Sequence, residues 1–272
     1  MKKTKTDVRR FWYSDKLVMP MPVSIITSVN HDGVVNAAPY SLIMPYDVSG
    51  KGAQILVGLR RSSHTCKNIR ATKEFVLNFP SADYIDDINE VFRFYPEGVS
   101  ELDYCRFTTV DSAEVGVPSI LECCQHIECR LAEYFEVSGR QARIIGDIAA
   151  IVMNDDLVDA GRGERIARMN LPVYMGDEYR KVYYYGSVKE TVRCDTEPVP
   201  RKKSKESFST SMPWDDDSLA GLEQVPDFVR QIVVERLEEE ARELGLSQVT
   251  YESFLKLLKE YAPPDILERF RS

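Results

Sequence analysis

Along the first two thirds of the chain, apolar residues come in short runs of strand length, the first of them β-branched almost throughout. Residues 23–29 are one such run, followed by Asn30-His31-Asp32-Gly33, whose Asp-Gly pair is a strong turn signal. Residues 54–59 and 74–79 are two more, the second closed by Pro80. Residues 127–135, 143–153 and 181–188 complete the predicted strands. One short helix is expected at 64–71, between the second and third runs. Many strands with few helices point to a barrel, not to a doubly wound sheet.

The pattern changes near residue 193. Residues 197–207, Glu-Pro-Val-Pro-Arg-Lys-Lys-Ser-Lys-Glu-Ser, show no apolar periodicity and read as an exposed linker. Beyond Trp214 the spacing is helical. Val229, Ile232, Val233, Leu237, Ala241 and Leu244 recur at steps of three and four. Pro226 suits the first turn, Asp227 the positive end of the helix dipole, and Gly245 the C′ position. A second helix starts from Thr250 as N-cap and carries Phe254, Leu257, Leu258 and Tyr261 before Pro263-Pro264 stops it. The expected organisation is a strand-rich domain over 1–192, a linker over 193–211 and a small helical domain over 212–272.

Composition narrows the classes. The 272 residues are 43% hydrophobic and 29% charged, which excludes disordered and collagen-like chains. No stretch approaches about 18 consecutive apolar residues, so no membrane-spanning helix is expected. A net charge of −8 argues against nucleic-acid and anionic-membrane partners, while leaving room for a local basic cleft. The lysine-rich start lacks the apolar core of a secretory signal. Six irregularly spaced cysteines read as reduced thiols, and the expected location is cytoplasmic.

Candidate chemistry is concentrated in Leu59-Arg60-Arg61-Ser62-Ser63-His64-Thr65-Cys66-Lys67-Asn68-Ile69. A strand ends in two arginines, and hydroxyl residues then open a helix. Helix N-termini carry free N–H groups and partial positive charge, which suits a phosphate. Ser62, Ser63 and Thr65 would add donors, and Arg60 or Arg61 the charge. The same residues also fit a plainer account, with Ser63 capping the helix and both arginines solvated. Upstream, Gly33-Val34-Val35-Asn36-Ala37-Ala38-Pro39-Tyr40-Ser41 is rich in small residues, which let backbone approach a flat ring or simply pack in a bent strand.

These segments together resemble the flavin reductase-like family of FMN-binding split barrels, which includes the flavoredoxins. The match runs over about residues 15–190. It is carried by Pro22-Val23, Thr27, Gly33 and Asn36 to Ser41, then Arg61, Ser62, His64-Thr65 and Asn68-Ile69, then Glu74-Phe75-Val76-Leu77-Asn78. Gly98-Val99-Ser100-Glu101, Pro118, Glu122 and Ile127-Glu128-Cys129 follow in the family's order. The resemblance implies a mainly β fold, a six-stranded antiparallel split β-barrel with Greek-key-like connections and short helices. It also implies a homodimer with non-covalent FMN near the subunit interface. Asn36, Ala37, Ala38 and Ser41, with Pro39 in the same segment, would face the isoalloxazine and ribityl. Arg61, Ser62, His64, Thr65 and Asn68 would surround the phosphate, with Arg60 and Ser63 beside them. Many relatives carry a histidine where this chain has 139–147 without one; Arg143 or Gln141 would be the substitutes, and the departure counts against carrying over a nicotinamide contact from that position.

Flavin carries hydride and electrons by itself, so no protein acid–base pair or nucleophile is expected and no catalytic residue is named. The three histidines, His31, His64 and His126, make a triad improbable. Cys123-Cys124-Gln125-His126-Ile127-Glu128-Cys129 has the residue types of a zinc or iron site. In a strand, however, alternation sends Cys124, His126 and Glu128 to one face and Cys123, Gln125, Ile127 and Cys129 to the other, so no metal site is assigned. Residues 212–252 resemble the small C-terminal helical domain of the B subunit of dark-operative protochlorophyllide reductase, which implies a docking or accessory module.

The leading expectation is an FMN-dependent oxidoreductase passing electrons from NAD(P)H or a redox-protein partner to an acceptor, as a flavin reductase or a flavoredoxin-type carrier. The alternative is a non-catalytic flavin-binding or interaction module whose helical tail docks a partner. A metal-binding protein using the cysteine cluster is the third reading.

Overall fold

The short apolar runs pair into one seven-stranded antiparallel sheet of the split-barrel type. In the computed structural model, residues 3–6, 8, 12, 17–48, 52–178, 182–194, 208–225 and 227–261 are described. The chain divides into two compact units, Met1–Asp195 and Thr196–Ser272.

The first unit runs β1 (Met21–Pro22), β2 (Ser24–Val29), β3 (Val35–Tyr40), β4 (Ile43–Asp47), β5 (Gln54–Arg60), α1 (His64–Thr72), β6 (Glu74–Phe79), α2 (Ile85–Glu90), β7 (Thr109–Val110), β8 (Ser119–Ile120), β9 (Gln125–Glu136), β10 (Gln141–Met153), α3 (Asp155–Val158), α4 (Arg162–Met169), β11 (Leu171–Glu178) and β12 (Val182–Val188). The large sheet is ordered β3-β2-β6-β9-β10-β5-β4, and β1-β11-β12 and β7-β8 form two smaller ones. It counts seven strands where six were expected. One strand the run pattern did not mark is β4, which pairs with β5 from Ile43↔Val57 to Asp47↔Gln54. Pro45 and the exposed Met44 and Tyr46 hid it.

Ile25 and Ile26 are both fully buried but pack into different clusters. Ile26 joins Val57, Leu59, Ile69, Phe75, Leu77 and Ile144, whereas Ile25 joins Val23, Ala37, Ile88, Phe107 and Ile120. Both faces of β2 are therefore covered, which is why its run is apolar without alternation. Gly146 sits at a register shift of β10, where a Cβ would lie 2.6 Å from the Phe75 ring. Only glycine allows that approach. The fully buried Asn78 donates to the Ile25 carbonyl at 3.0 Å and the Thr27 hydroxyl at 3.1 Å, and accepts from Ile120 N at 2.8 Å. It ties β2, β6 and β8 together.

The second unit holds α5 (Asp216–Gln224), α6 (Asp227–Glu243) and α7 (Tyr251–Tyr261). Leu222, Val225, Val234, Leu237, Ala241, Val249 and Phe254 make its core. The helix is where spacing placed it, but the stripe needs correcting. Ile232 and Leu244 are 62% and 59% exposed, and the inward face is Val234, Leu237, Glu238 and Ala241. Glu238 belongs there because it accepts from Ser211 N, Met212 N and Trp214 Nε1, so a charge occupies a position that periodicity assigns to solvent. Gly245 has φ +69°, and Leu246 N and Gly245 N bond back to the carbonyls of Ala241 and Arg242, a Schellman ending. Thr250 and Ser253 cap α7 reciprocally. Pro226, Pro263-Pro264, most of the expected linker (195–207) and the side chains of Val229, Leu257, Leu258 and Tyr261 lie outside the described residues. Among the described residues no helix is long and apolar enough to cross a membrane.

Candidate functional site

The turn from β5 into α1 faces the end strand β3, and the two bring polar side chains together. α1 begins at Ser63, whose hydroxyl accepts from Cys66 N at 3.2 Å and donates to the Arg60 carbonyl at 2.8 Å. Ser63 is thus a working N-cap. The helix ladder itself uses neither the His64 nor the Thr65 N–H. Thr65 and Asn68 face inward and are buried. Asn68 donates to the Ser28 hydroxyl at 3.3 Å, and one end of the Asn36 carboxamide lies 3.0 Å from the Thr65 hydroxyl. Burial pushes the Tyr40 phenol's pKa up.

A shallow, solvent-open depression, with enclosed room of only about 20 Å³, lies beside these groups. Asn36, His64 and Asn68 line it, with Asn30, Lys67 and the Glu97–Val99 loop. It is small for a ligand cleft and mostly polar, which suits a sugar-alcohol or phosphate portion more than an aromatic ring. Lys67 reaches Glu97 at 3.3 Å across its rim.

The other expected site residues sit around this cleft or away from it. Ala37 is buried in β3, with Ala38, Pro39 and Ser41 half-buried along the same segment. Pro39 is tolerated inside a strand because β3 ends the sheet and one edge needs no donor. Ser62 is exposed. Arg60 lies over the Phe94 ring at 5.9 Å, and Arg61 is paired with Glu136 at 2.8 Å. Neither arginine lines the cleft. Arg143 bonds the Ala142 carbonyl from the half-buried face of β10.

Sequence reasoning missed Asn30 and Lys67, although Lys67 follows His64 by one helical turn. It also gave no role to Glu101. Only 4% exposed, Glu101 opens a 3₁₀ turn at Glu101–Tyr104 and accepts from Ala37 N at 2.9 Å. Burial pushes its carboxyl up, against the pull of the Ala37 N–H, its own N–H and nearby His64.

The cysteine segment divides between clusters. Cys123 packs with Ile25 and Ile120, and Cys129 with Phe75 and Ile144. His126 Nε2 lies 2.8 Å from the Ile120 carbonyl, and Glu128 accepts from Ala113 N and Glu114 N. Among the described residues no three His, Cys, Asp or Glu side chains are gathered to hold a metal.

Comparisons with known proteins match both parts of the chain. The flavin reductase like domain matches residues 16–183, and the proto-chlorophyllide reductase 57 kD subunit matches residues 214–256. A protein of Methanothermobacter thermautotrophicus is 28% identical over 170 residues, covering 61% of this chain and 79% of its own. Among solved structures, nitrilotriacetate monooxygenase component B from Bacillus cereus superposes with a TM-score of 0.63 at 21% identity, over 71% of this chain and all of its own (100%). Flavoredoxin of Desulfovibrio vulgaris superposes with a TM-score of 0.58 at 18% identity, over 76% of this chain and 100% of its own.

Proposed function

The chain belongs to the flavin reductase-like family, and from that premise we propose that it is an FMN-dependent oxidoreductase taking electrons from NAD(P)H or a redox protein. The observation that carries this reading is the cleft at the start of α1, where Asn36, His64, Lys67 and Asn68 converge beside unused helix N–H groups. The donor set fits a ribityl phosphate. The His64 and Thr65 N–H groups and Lys67 would hold the phosphate, and Asn30, Asn36 and Asn68 offer amides to the ribityl hydroxyls. FMN, when bound, supplies the hydride and electron chemistry. The chain's own work is then to bind, orient and shield. The backbone of Ala37 and Ala38 presents a surface with little side-chain bulk to a flat ring, and the Glu97–Val99 loop closes one wall.

The reading includes a homodimer and a cytoplasmic location. Supporting the dimer, the large sheet ends on β4, where Leu42, Met44 and Tyr46 are all exposed apolar side chains. Such side chains at a sheet edge call for a partner.

The deciding experiment is the absorbance spectrum of the purified protein, an FMN titration, and anaerobic addition of NADH or NADPH. Stoichiometric flavin uptake with rapid bleaching supports a reductase. Bleaching only by a reduced protein donor supports a carrier. A chain that takes up no flavin overturns the proposal.

A further inference from the structure

Glu101 stands out among the buried ionisable groups of the first unit. Asp87 is answered by Arg106, and Glu128 closes a loop on two backbone N–H groups. Glu101 instead reaches across to β3, 64 residues away in sequence, and takes the Ala37 N–H at the strand's outer edge. Its other oxygen faces the Asn36 carboxamide. A carboxylate only accepts, so the amide must turn its nitrogen to Glu101, at 3.3 Å, and its oxygen to the Thr65 hydroxyl, at 3.0 Å. In the opposite orientation two acceptors would face each other.

We propose that Glu101 is a positioning residue for the flavin site, holding the Asn36 carboxamide and the Ala37 backbone in the arrangement that binds the cofactor. This rests on the flavin reading of the cleft. Asn36 lines that cleft and Glu101 does not, so Glu101 acts through its neighbours. Ionised, it holds both donors and fixes the edge strand before the ligand arrives, and preorganisation of this kind is worth affinity. Protonated, it loses one acceptor site, Asn36 is free to turn over, and the segment loosens. The titratable groups facing Glu101 are His64 on α1 and the Tyr40 phenol on β3. Burial raises the Glu101 carboxyl above its ordinary range, so the change falls at a higher pH than for a solvated glutamate.

The test is binding of riboflavin and FMN to the full chain by fluorescence titration, from about pH 7 to about pH 5. Riboflavin has no phosphate, so its profile is free of phosphate ionisation. Its affinity is expected to fall with pH in the wild type. Glu101→Gln is expected to bind both flavins about tenfold more weakly at neutral pH, with a flattened profile. Because Glu101 acts through Asn36, Asn36→Ala and Glu101→Gln combined should lose less than the product of their separate losses. A flat wild-type riboflavin profile overturns the proposal without any variant. So does Glu101→Gln that binds like wild type, and both results leave the flavin reading standing. Absence of flavin uptake by the wild type at any pH overturns the flavin reading itself, and this proposal with it.

Discussion

Arg61 Nη2 lies 2.8 Å from Glu136 Oε1, an ion pair between the β5–α1 turn and the far end of β9. The guanidinium closest to the flavin-family motif is therefore held by a carboxylate outside the cleft. On the proposed flavin reading, a phosphate held at α1 would have to compete with Glu136 for it.

Arg61→Ala is accordingly expected to weaken FMN binding by about tenfold, the low end for a charge-assisted hydrogen bond, because Arg61 is a third exposed and must first leave its partner. Riboflavin affinity should not change. Glu136→Gln should tighten FMN by a smaller factor by releasing Arg61. Paired titrations with FMN and riboflavin decide this. Equal effects on both ligands would show that Arg61 acts elsewhere than at the phosphate.

Strands and helices were legible where one physical cause dominated. Residues 23–29, 54–59 and 74–79 are short apolar runs whose strands the core covers, and they read as strands at once. β4 did not, because Pro45 and its exposed apolar side chains break the pattern. The helices at 85–90, 155–158 and 162–169 are too short for a 3.6-residue period to show. In α6 the phase was misread because a buried carboxylate, Glu238, lies on the inward face. At the site, Asn36, His64 and Asn68 were legible from their motif and do meet at one cleft. Glu101 fell in the family's order but its role was not legible, since nothing in Ser-Glu-Leu-Asp-Tyr separates a buried glutamate from a solvated one. Only the packing of its 3₁₀ turn on β3 reveals it.

Asn78 joins three strands through one carboxamide, and its loss should be felt in folding. Asn78→Ala would leave the Ile120 N–H and the Ile25 carbonyl without their buried partner. Each such group costs about 1–3 kcal/mol, so a loss of about 3 kcal/mol is expected from urea unfolding. Asn78→Asp should be as harmful, because a carboxylate cannot donate to the Ile25 carbonyl or Thr27 hydroxyl. A variant within about 0.5 kcal/mol of wild type would show that water replaces the amide.

Glu238 plays the matching part in the helical unit. Burial alone would raise its carboxyl, but the Ser211 hydroxyl and N–H, Trp214 Nε1 and Met212 N outweigh it and hold the pKa below the usual 4.5. A lowered folded-state pKa means that Glu238 contributes stability above its unfolded value, and that this is lost as pH falls through the folded value. Acid unfolding of this unit, followed by Trp214 fluorescence, should therefore begin below the ordinary glutamate range. Glu238→Ala is expected to cost about 2–3 kcal/mol at neutral pH by leaving those donors unpaired. In Glu238→Gln the acid dependence should shrink. An unchanged acid transition in that variant would assign the titration to another group.

The cysteines separate a metal-binding account from a packing account. Cys66, Cys123 and Cys129 are buried, Cys105 and Cys124 are half-buried, and Cys194 is exposed. Burial pushes the Cys123 and Cys129 thiols up, so neither carries appreciable thiolate at neutral pH. A thiol reagent should label Cys194 first and the half-buried pair more slowly, and should reach Cys66, Cys123 and Cys129 only on unfolding. Cys123 and Cys129 also sit in separate clusters, while His126 is turned to the Ile120 carbonyl. Four ligands cannot meet there without repacking two cores. Chelators should therefore leave the melting temperature unchanged, and Cys129→Ala should cost about 1 kcal/mol, as one small buried deletion does. Had the cluster held structural zinc, chelation would remove roughly 10 kcal/mol or more of folding energy. Stoichiometric zinc or iron in protein purified without added metal, lost together with stability in Cys129→Ala, would overturn the packing account.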